Sequence, residues 1–131
     1  MLEIGIKGTA AVICSRKCCA VSVGSGELEV FATPSMTALM EEAAYRSVAP
    51  YLEEGQTTVG TALSITHTSA TPIGMSIRCE SELTAVEGRR LTFQLTAYDE
   101  CGEIGSGTHE RFIVDAARFM SKTESKKNAN Q

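Results

Sequence analysis

The sequence predicts an α+β domain, a meander of long antiparallel strands packed on one helix. Two observations carry the prediction. Between Phe31 and Ala49, Met36, Leu39, Met40, Ala43, Ala44, Val48 and Ala49 recur close to the period of a buried helical face. From Thr57 to Val114 the pattern changes to alternation in runs punctuated by turn residues.

Taken in order, Ile4 to Cys14 alternates loosely, with Ile4, Ile6, Ala10 and Val12 in phase, and reads as a first strand. Ala20 to Val23 reads as a short second strand, followed by the flexible turn Gly24-Ser25-Gly26. The long helix then begins. Thr33 suits its N-cap and Pro34 its first position, where a missing N–H costs nothing. Pro50 ends or kinks it, and Gly55 closes the last turn. In the strand from Thr57 to Thr68, Val59, Thr61, Leu63, Ile65 and His67 share one face by the period of two. Met75 to Val86 follows, with Met75, Ile77, Cys79, Leu83 and Ala85 on one side. Glu87-Gly88 turns the chain into a strand lined by Leu91, Phe93, Leu95 and Ala97. Ile104 to Val114 is the last strand, where Gly105 and Gly107 mark a bulge or a close backbone approach. Asp115 to Met120 is expected as a short helix. The expected organisation is a single domain over residues 1–121 and a frayed polar tail over 122–131.

Composition narrows the function. A chain of 131 residues with 43% apolar content can build one sizeable core. The net charge of −4 and the scattered cations argue against nucleic acid as a partner. No apolar run approaches the roughly 20 residues of a membrane span, and the first residues lack a basic-then-apolar leader. Five cysteines, an odd and irregularly spaced set, fit reduced thiols in the cytoplasm better than a disulfide framework. Cys14, Cys18 and Cys19 lack a second ligand pair, so no metal site is expected.

Few side chains offer chemistry. Glu41 and Glu42 are adjacent on the helix but about 100° apart, so they occupy different environments. Glu41 lies beside the apolar stripe. His67 ends a strand and points towards the helix, where a buried imidazole needs partners or a proton-transfer role. Thr33 sits at the positive end of the helix, a favourable place for a polarised carbonyl. His109, mid-strand among polar residues, reads as structural. Arg89 and Arg90 follow a hairpin turn and read as a solvated face with the capacity to bind phosphate.

Several segments then act together. Val30-Phe31-Ala32-Thr33-Pro34, Leu39-Met40-Glu41, Ala49-Pro50-Tyr51-Leu52, Val59-Gly60-Thr61-Ala62, Thr66-His67-Thr68-Ser69-Ala70-Thr71-Pro72, Val86-Glu87-Gly88-Arg89-Arg90-Leu91 and Glu103 to Arg111 resemble the fluoroacetyl-CoA thioesterase branch of the hotdog-fold thioesterases. The resemblance implies a hotdog fold, a homodimer or higher homo-oligomer, and hydrolysis of an acyl-CoA thioester. It implies no cofactor beyond the coenzyme A carried by the substrate. It places the family's catalytic threonine, glutamate and histidine on Thr33, Glu41 and His67, and its carbonyl-seating glycine on Gly60. Arg89, Arg90 and Arg111 are expected to contact substrate. One departure stands out: the family's aromatic lid falls on Val23 to Glu29, which holds no aromatic residue, with Glu27 at the position of the lid phenylalanine. The expected substrate is therefore a small acyl-CoA other than the fluoroacetyl ester. The alternatives are a non-hydrolytic acyl-CoA-binding protein, a hotdog enzyme of enoyl hydration, and a structural dimer without ligand.

Overall fold

The computed structural model describes residues 2–129, so the last two residues of the expected tail lie outside the described residues. Strand β1 (Lys7–Ile13) leads through a 3-10 turn at Arg16–Cys18 into the one-turn helix α1 (Ala20–Val23). The long helix α2 (Thr33–Val48) follows, then β2 (Gln56–His67), β3 (Ser76–Glu87), β4 (Arg90–Asp99) and β5 (Gly102–Asp115). Helices α3 (Ala116–Glu124) and α4 (Lys126–Ala129) close the chain. The five strands form one antiparallel sheet in the order β1-β3-β4-β5-β2.

Helix α2 lies on one face of this sheet. Met36, Leu39, Met40, Ala43, Ala44 and Val48 are buried on it, against Cys79, Leu83, Phe93, Leu95 and Ala97 of the central strands. Small residues let the layers close: a side chain at Gly8 would strike the Ala43 carbonyl oxygen and come within 2.6 Å of Ser47 Cβ. The five cysteines are free thiols. Among the described residues, no helix is long and apolar enough to cross a membrane.

Local readings change in five places. Thr33 is not the cap; Ala32 holds that position without a side-chain bond, and Thr33 and Pro34 are the first two helical residues. Ala20 to Val23 is a helical turn and not a strand, closed by Gly24 at φ +79°. The β2–β5 register slips between Gly60 and Ala62, so Thr61 is a bulge that reverses the alternation. Gly60 and Thr58 therefore face α2 before the bulge, and Leu63, Ile65 and His67 face it afterwards; Val59 does not share their face. A second slip, between Leu83 and Ala85, likewise removes Ala85 from the face of Leu83. At the C-terminal end, Asp115 caps α3 by accepting a hydrogen bond from the Arg118 amide at 3.0 Å, and the helix continues past Met120 to Glu124.

Candidate active site

Two polar clusters lie between α2 and the β2 edge of the sheet. The first stands at the start of α2. His67, at the end of β2, is opposite Gly105 of β5, where a side chain would press within 2.6 Å of the Thr66 carbonyl oxygen. His67 Nδ1 lies 2.7 Å from Thr33 Oγ1. The other ring nitrogen, Nε2, is buried and has no hydrogen-bond partner. Burial holds the His67 pKa below the ordinary imidazole value, opposed by the Ser69 backbone. A groove of about 270 Å³ opens beside the pair, lined by Ala20, Val30, Phe31, Ala32 and Ala70 among others.

The second cluster surrounds Glu41, two helical turns further on. Glu41 Oε1 occupies the space left by the missing side chain of Gly60, 2.8 Å from where a Cβ would stand. Arg111 Nη1 lies 3.5 Å from the same oxygen. The arginine is itself buried and fixed: Nε donates to Thr58 Oγ1 at 2.8 Å and Nη2 to the Thr58 carbonyl at 3.0 Å. Its guanidinium carbon is 5.8 Å from the centre of the Tyr45 ring.

The protonation of His109 follows from its bonds. Nδ1 stands 2.8 Å from the Ala62 carbonyl, which can only accept, so Nδ1 carries the proton. Nε2 then receives a hydrogen bond from Arg111 Nη1 at 3.2 Å. The ring is neutral, and its 3.9 Å approach to Glu41 is not an ion pair. Burial lowers the His109 pKa most, and the Arg111 charge adds to this against the opposing pulls of the Ala62 carbonyl and Glu41.

Both histidines thus hold fewer protons folded than unfolded between the depressed folded pKa and the ordinary value near 6.5. By linkage their contribution to stability is complete above about pH 6.5 and is lost as pH falls through the folded values. The melting temperature should therefore drop between pH 7 and pH 5, and less steeply in His109→Gln. An identical slope in that variant assigns the dependence elsewhere.

The sequence-predicted residues do not gather in one place. Thr33 and His67 pair directly, and Glu41, Gly60 and Arg111 form the second group. Gly60 and His67 are seven positions apart on β2, roughly 20 Å of strand. Within one chain Glu41 does not reach the imidazole. Arg90 is engaged at the hairpin by Glu87 at 2.9 Å and Glu110 at 3.7 Å, and Arg89 Nη1 lies 3.4 Å from the Ile113 carbonyl. Glu42 pairs with Arg46 at 3.4 Å, in keeping with a solvated carboxylate. Thr58, Tyr45 and the tautomer of His109 are additions that the structure makes to the site. The signal for His109 was present: it shares the helix-facing phase with Gly107 and Arg111, and a buried imidazole there needs a donor.

Comparison with known proteins places this geometry. Residues 14–117 match the model of the fluoroacetyl-CoA-specific thioesterase family. The chain is 50% identical over 98 residues to the fluoroacetyl-CoA thioesterase of Streptantibioticus cattleyicolor, covering 75% of this chain and 70% of that protein. A crystal structure of the fluoroacetyl-CoA thioesterase FlK superposes with a TM-score of 0.91 at 39% identity, covering 96% of this chain and 98% of the other. A Thermus thermophilus thioesterase superfamily member shares the fold, with a TM-score of 0.91 at 24% identity over 98% and 96% of the two chains. The sheet wrapped on α2 is a hotdog fold, and the chain belongs to the fluoroacetyl-CoA-specific thioesterase family of thioester hydrolases.

Proposed function

We propose that the protein hydrolyses a small acyl-CoA thioester to free acid and coenzyme A, at a site built from two copies of the chain. The observation that carries this reading is the division of the site. Glu41 over Gly60 and the Thr33–His67 pair are both formed, yet Gly60 and His67 stand seven positions apart along the β2 edge. Strand β2 spans 12 residues at the edge of the sheet, and most of its length is exposed. An edge of this length is a template for a second strand. Antiparallel pairing of β2 with its copy, about a two-fold near Leu63 and Ser64, sets His67 opposite Gly60 of the partner subunit. Each of two equivalent sites then holds Glu41 from one chain and Thr33 with His67 from the other.

The chemistry follows from the groups assembled. The Gly60 amide seats the thioester carbonyl, the role that the family resemblance assigns to it. Glu41 delivers the attack, either by bonding to the carbonyl carbon, with water then cleaving the resulting mixed anhydride, or by taking a proton from water that attacks the carbonyl; both courses expel the coenzyme A thiolate and release the free acid. Arg111 keeps the carboxylate aimed over Gly60. The His67 imidazole transfers the proton that the departing sulfur requires, with its orientation set by Thr33.

The acyl group is small and is not selected for fluorine. Val21, Val23 and Leu28 in the segment before α2 are exposed, and no aromatic ring stands among them to close over the substrate.

Thiol release from acetyl-, propionyl-, isobutyryl-, benzoyl- and fluoroacetyl-CoA tests the proposal. Selective turnover of one or two short acyl groups, without a preference for fluoroacetyl over acetyl, is expected. Binding of acyl-CoA without any thiol release would make the protein a receptor and end the hydrolytic reading; a strong fluoroacetyl preference would overturn the argument from the missing lid.

A further inference from the structure

The chemistry above leaves three thiols unused in the turn between β1 and α1. Cys14 and Cys19 are buried, Cys18 is half-buried, and none is in a disulfide. We infer that Cys14 and Cys18 are a modification site, closed by a peroxide into a reversible disulfide that slows the thioesterase. The effect on turnover rests on the acyl-CoA reading above; the bond itself does not.

The fold gathers the sulfurs. Cys18 Sγ and Cys19 Sγ each lie 3.3 Å from the Ser15 carbonyl oxygen. Cys14 Sγ is in the core, 4.0 Å from the Thr71 carbonyl oxygen. Burial, and then the adjoining Cys18 and Cys19 thiols, push the Cys14 thiol up to about 12. The described residues hold no group of three His, Cys, Asp or Glu side chains placed to bind a metal ion.

Reach and exposure select the pair. A Cys18–Cys19 bond is disfavoured, because adjacent Cα atoms stand about 3.8 Å apart and a disulfide usually needs at least about 4.4 Å. Cys14 is therefore the partner. Cys18 is the one of the three that is not fully buried. Its sulfur also lies 3.2 Å from the Ser15 amide nitrogen, on a turn that carries Arg16 and Lys17. Partly exposed sulfurs among donors and cations are the ones that peroxides oxidise. Cys14, buried and protonated at neutral pH, suits the resolving role.

The reaction balances with the peroxide as oxidant. The Cys18 sulfur bonds to one peroxide oxygen as the O–O bond breaks, and the other oxygen leaves with the thiol proton as water. The sulfur becomes a sulfenic acid, and its two electrons reduce the peroxide. The Cys14 sulfur then bonds to the Cys18 sulfur and displaces the hydroxyl, which leaves with the Cys14 proton as a second water.

The turn is tied to the start of α2. The Cys18 carbonyl accepts from the Ala32 amide at 2.9 Å, and Ala32 is the N-cap before Thr33. Cys19 bridges Phe31, and the Phe31 amide donates at 2.9 Å to the Thr71 carbonyl beside Cys14. A bond to Cys14 draws Cys18 off Ser15 and towards the core. Ala32 and Thr33 move with it, and the 2.7 Å contact between Thr33 and His67 is disturbed. Misplacement of a positioning group by about 1 Å can cost up to about 100-fold in rate.

The test treats the full chain with hydrogen peroxide, removes the excess with catalase, and maps the alkylated peptides by mass spectrometry. Trypsin cleaves after Arg16 and Lys17, so the bond joins two peptides that otherwise separate, Gly8–Arg16 and the one beginning at Cys18. That linked pair is expected in the wild type and in Cys19→Ala, and is absent from Cys18→Ser. Turnover, read as loss of thioester absorbance, should fall about tenfold in the linked form, return on reduction with dithiothreitol, and stay constant in Cys18→Ser. Hydrogen exchange at the Phe31 and Ala32 amides should quicken about tenfold in the linked form, a readout independent of activity. No linked pair, a link that survives Cys18→Ser, or a linked form with unchanged turnover would overturn the inference and leave hydrolysis intact. A reduced protein that cleaves no acyl-CoA would remove the hydrolytic reading, and the linked peptides with the exchange rates would still decide whether the bond forms and loosens the start of α2.

Discussion

Glu41→Ala is expected to lower kcat for thiol release by about 10³-fold or more, while the protein stays folded and still binds acyl-CoA. The loss follows from position. Glu41 is the one carboxylate standing over Gly60, and Arg111 on its far side offers a cation that can aim it but cannot attack or accept a proton. Removing a nucleophile or general base of this kind costs about 10²–10⁴ in rate. Stability should change little, because the side chain is 42% exposed and Arg111 keeps both bonds to Thr58 without it. Steady-state kinetics with a thiol reagent, beside a thermal-shift titration with coenzyme A, reads both quantities. A variant within about tenfold of wild-type kcat would remove Glu41 from the chemistry.

Arg111→Met is expected to act on stability and turnover together. The substitution keeps an unbranched apolar stem but deletes every donor. It leaves the Thr58 carbonyl, the Thr58 hydroxyl and His109 Nε2 without their partner, in a region where Thr58, His109 and Arg111 are all buried. Unpaired buried groups cost about 1–3 kcal/mol each, with partial relief from rearrangement, so a loss of about 3 kcal/mol is expected. Turnover should fall by about 10–100-fold, because Glu41 keeps its place but loses the cation that aims it. Urea denaturation at pH 7 measures the first effect and kcat the second. A change below about 0.5 kcal/mol with full turnover would make Arg111 a bystander.

How far the sequence discloses this site depends on the element. Helix α2 was legible because seven apolar residues at helical spacing and a proline near the start agree with one another. Its cap was not legible: Thr33 satisfies every local rule for an N-cap, but its hydroxyl is drawn to His67, a partner 34 residues away. Periodicity placed His67 on the helix side correctly, yet assigned Val59 to the same face, because a bulge at Thr61 leaves no mark in an alternating sequence. The same bulge turns Gly60 towards Glu41, a contact that only pairing with β5 reveals. Ala20 to Val23, with two valines, has the composition of a strand; the left-handed Gly24 and the turn before it make it helical. Arg111 is expected from the sequence to contact substrate. Burial behind Glu41 makes it the carboxylate's support.

Mixing two inactive variants tests the shared site most directly. Glu41→Ala and His67→Ala chains are denatured together in equal amounts and refolded. Random pairing makes half of the dimers mixed, and each mixed dimer holds one site with both Glu41 and His67 intact. Thiol release should therefore recover to about a quarter of the wild-type level, although each variant refolded alone is inactive. No recovery, with mixed dimers demonstrated by mass spectrometry, would place both residues in a single-chain site and contradict pairing through β2.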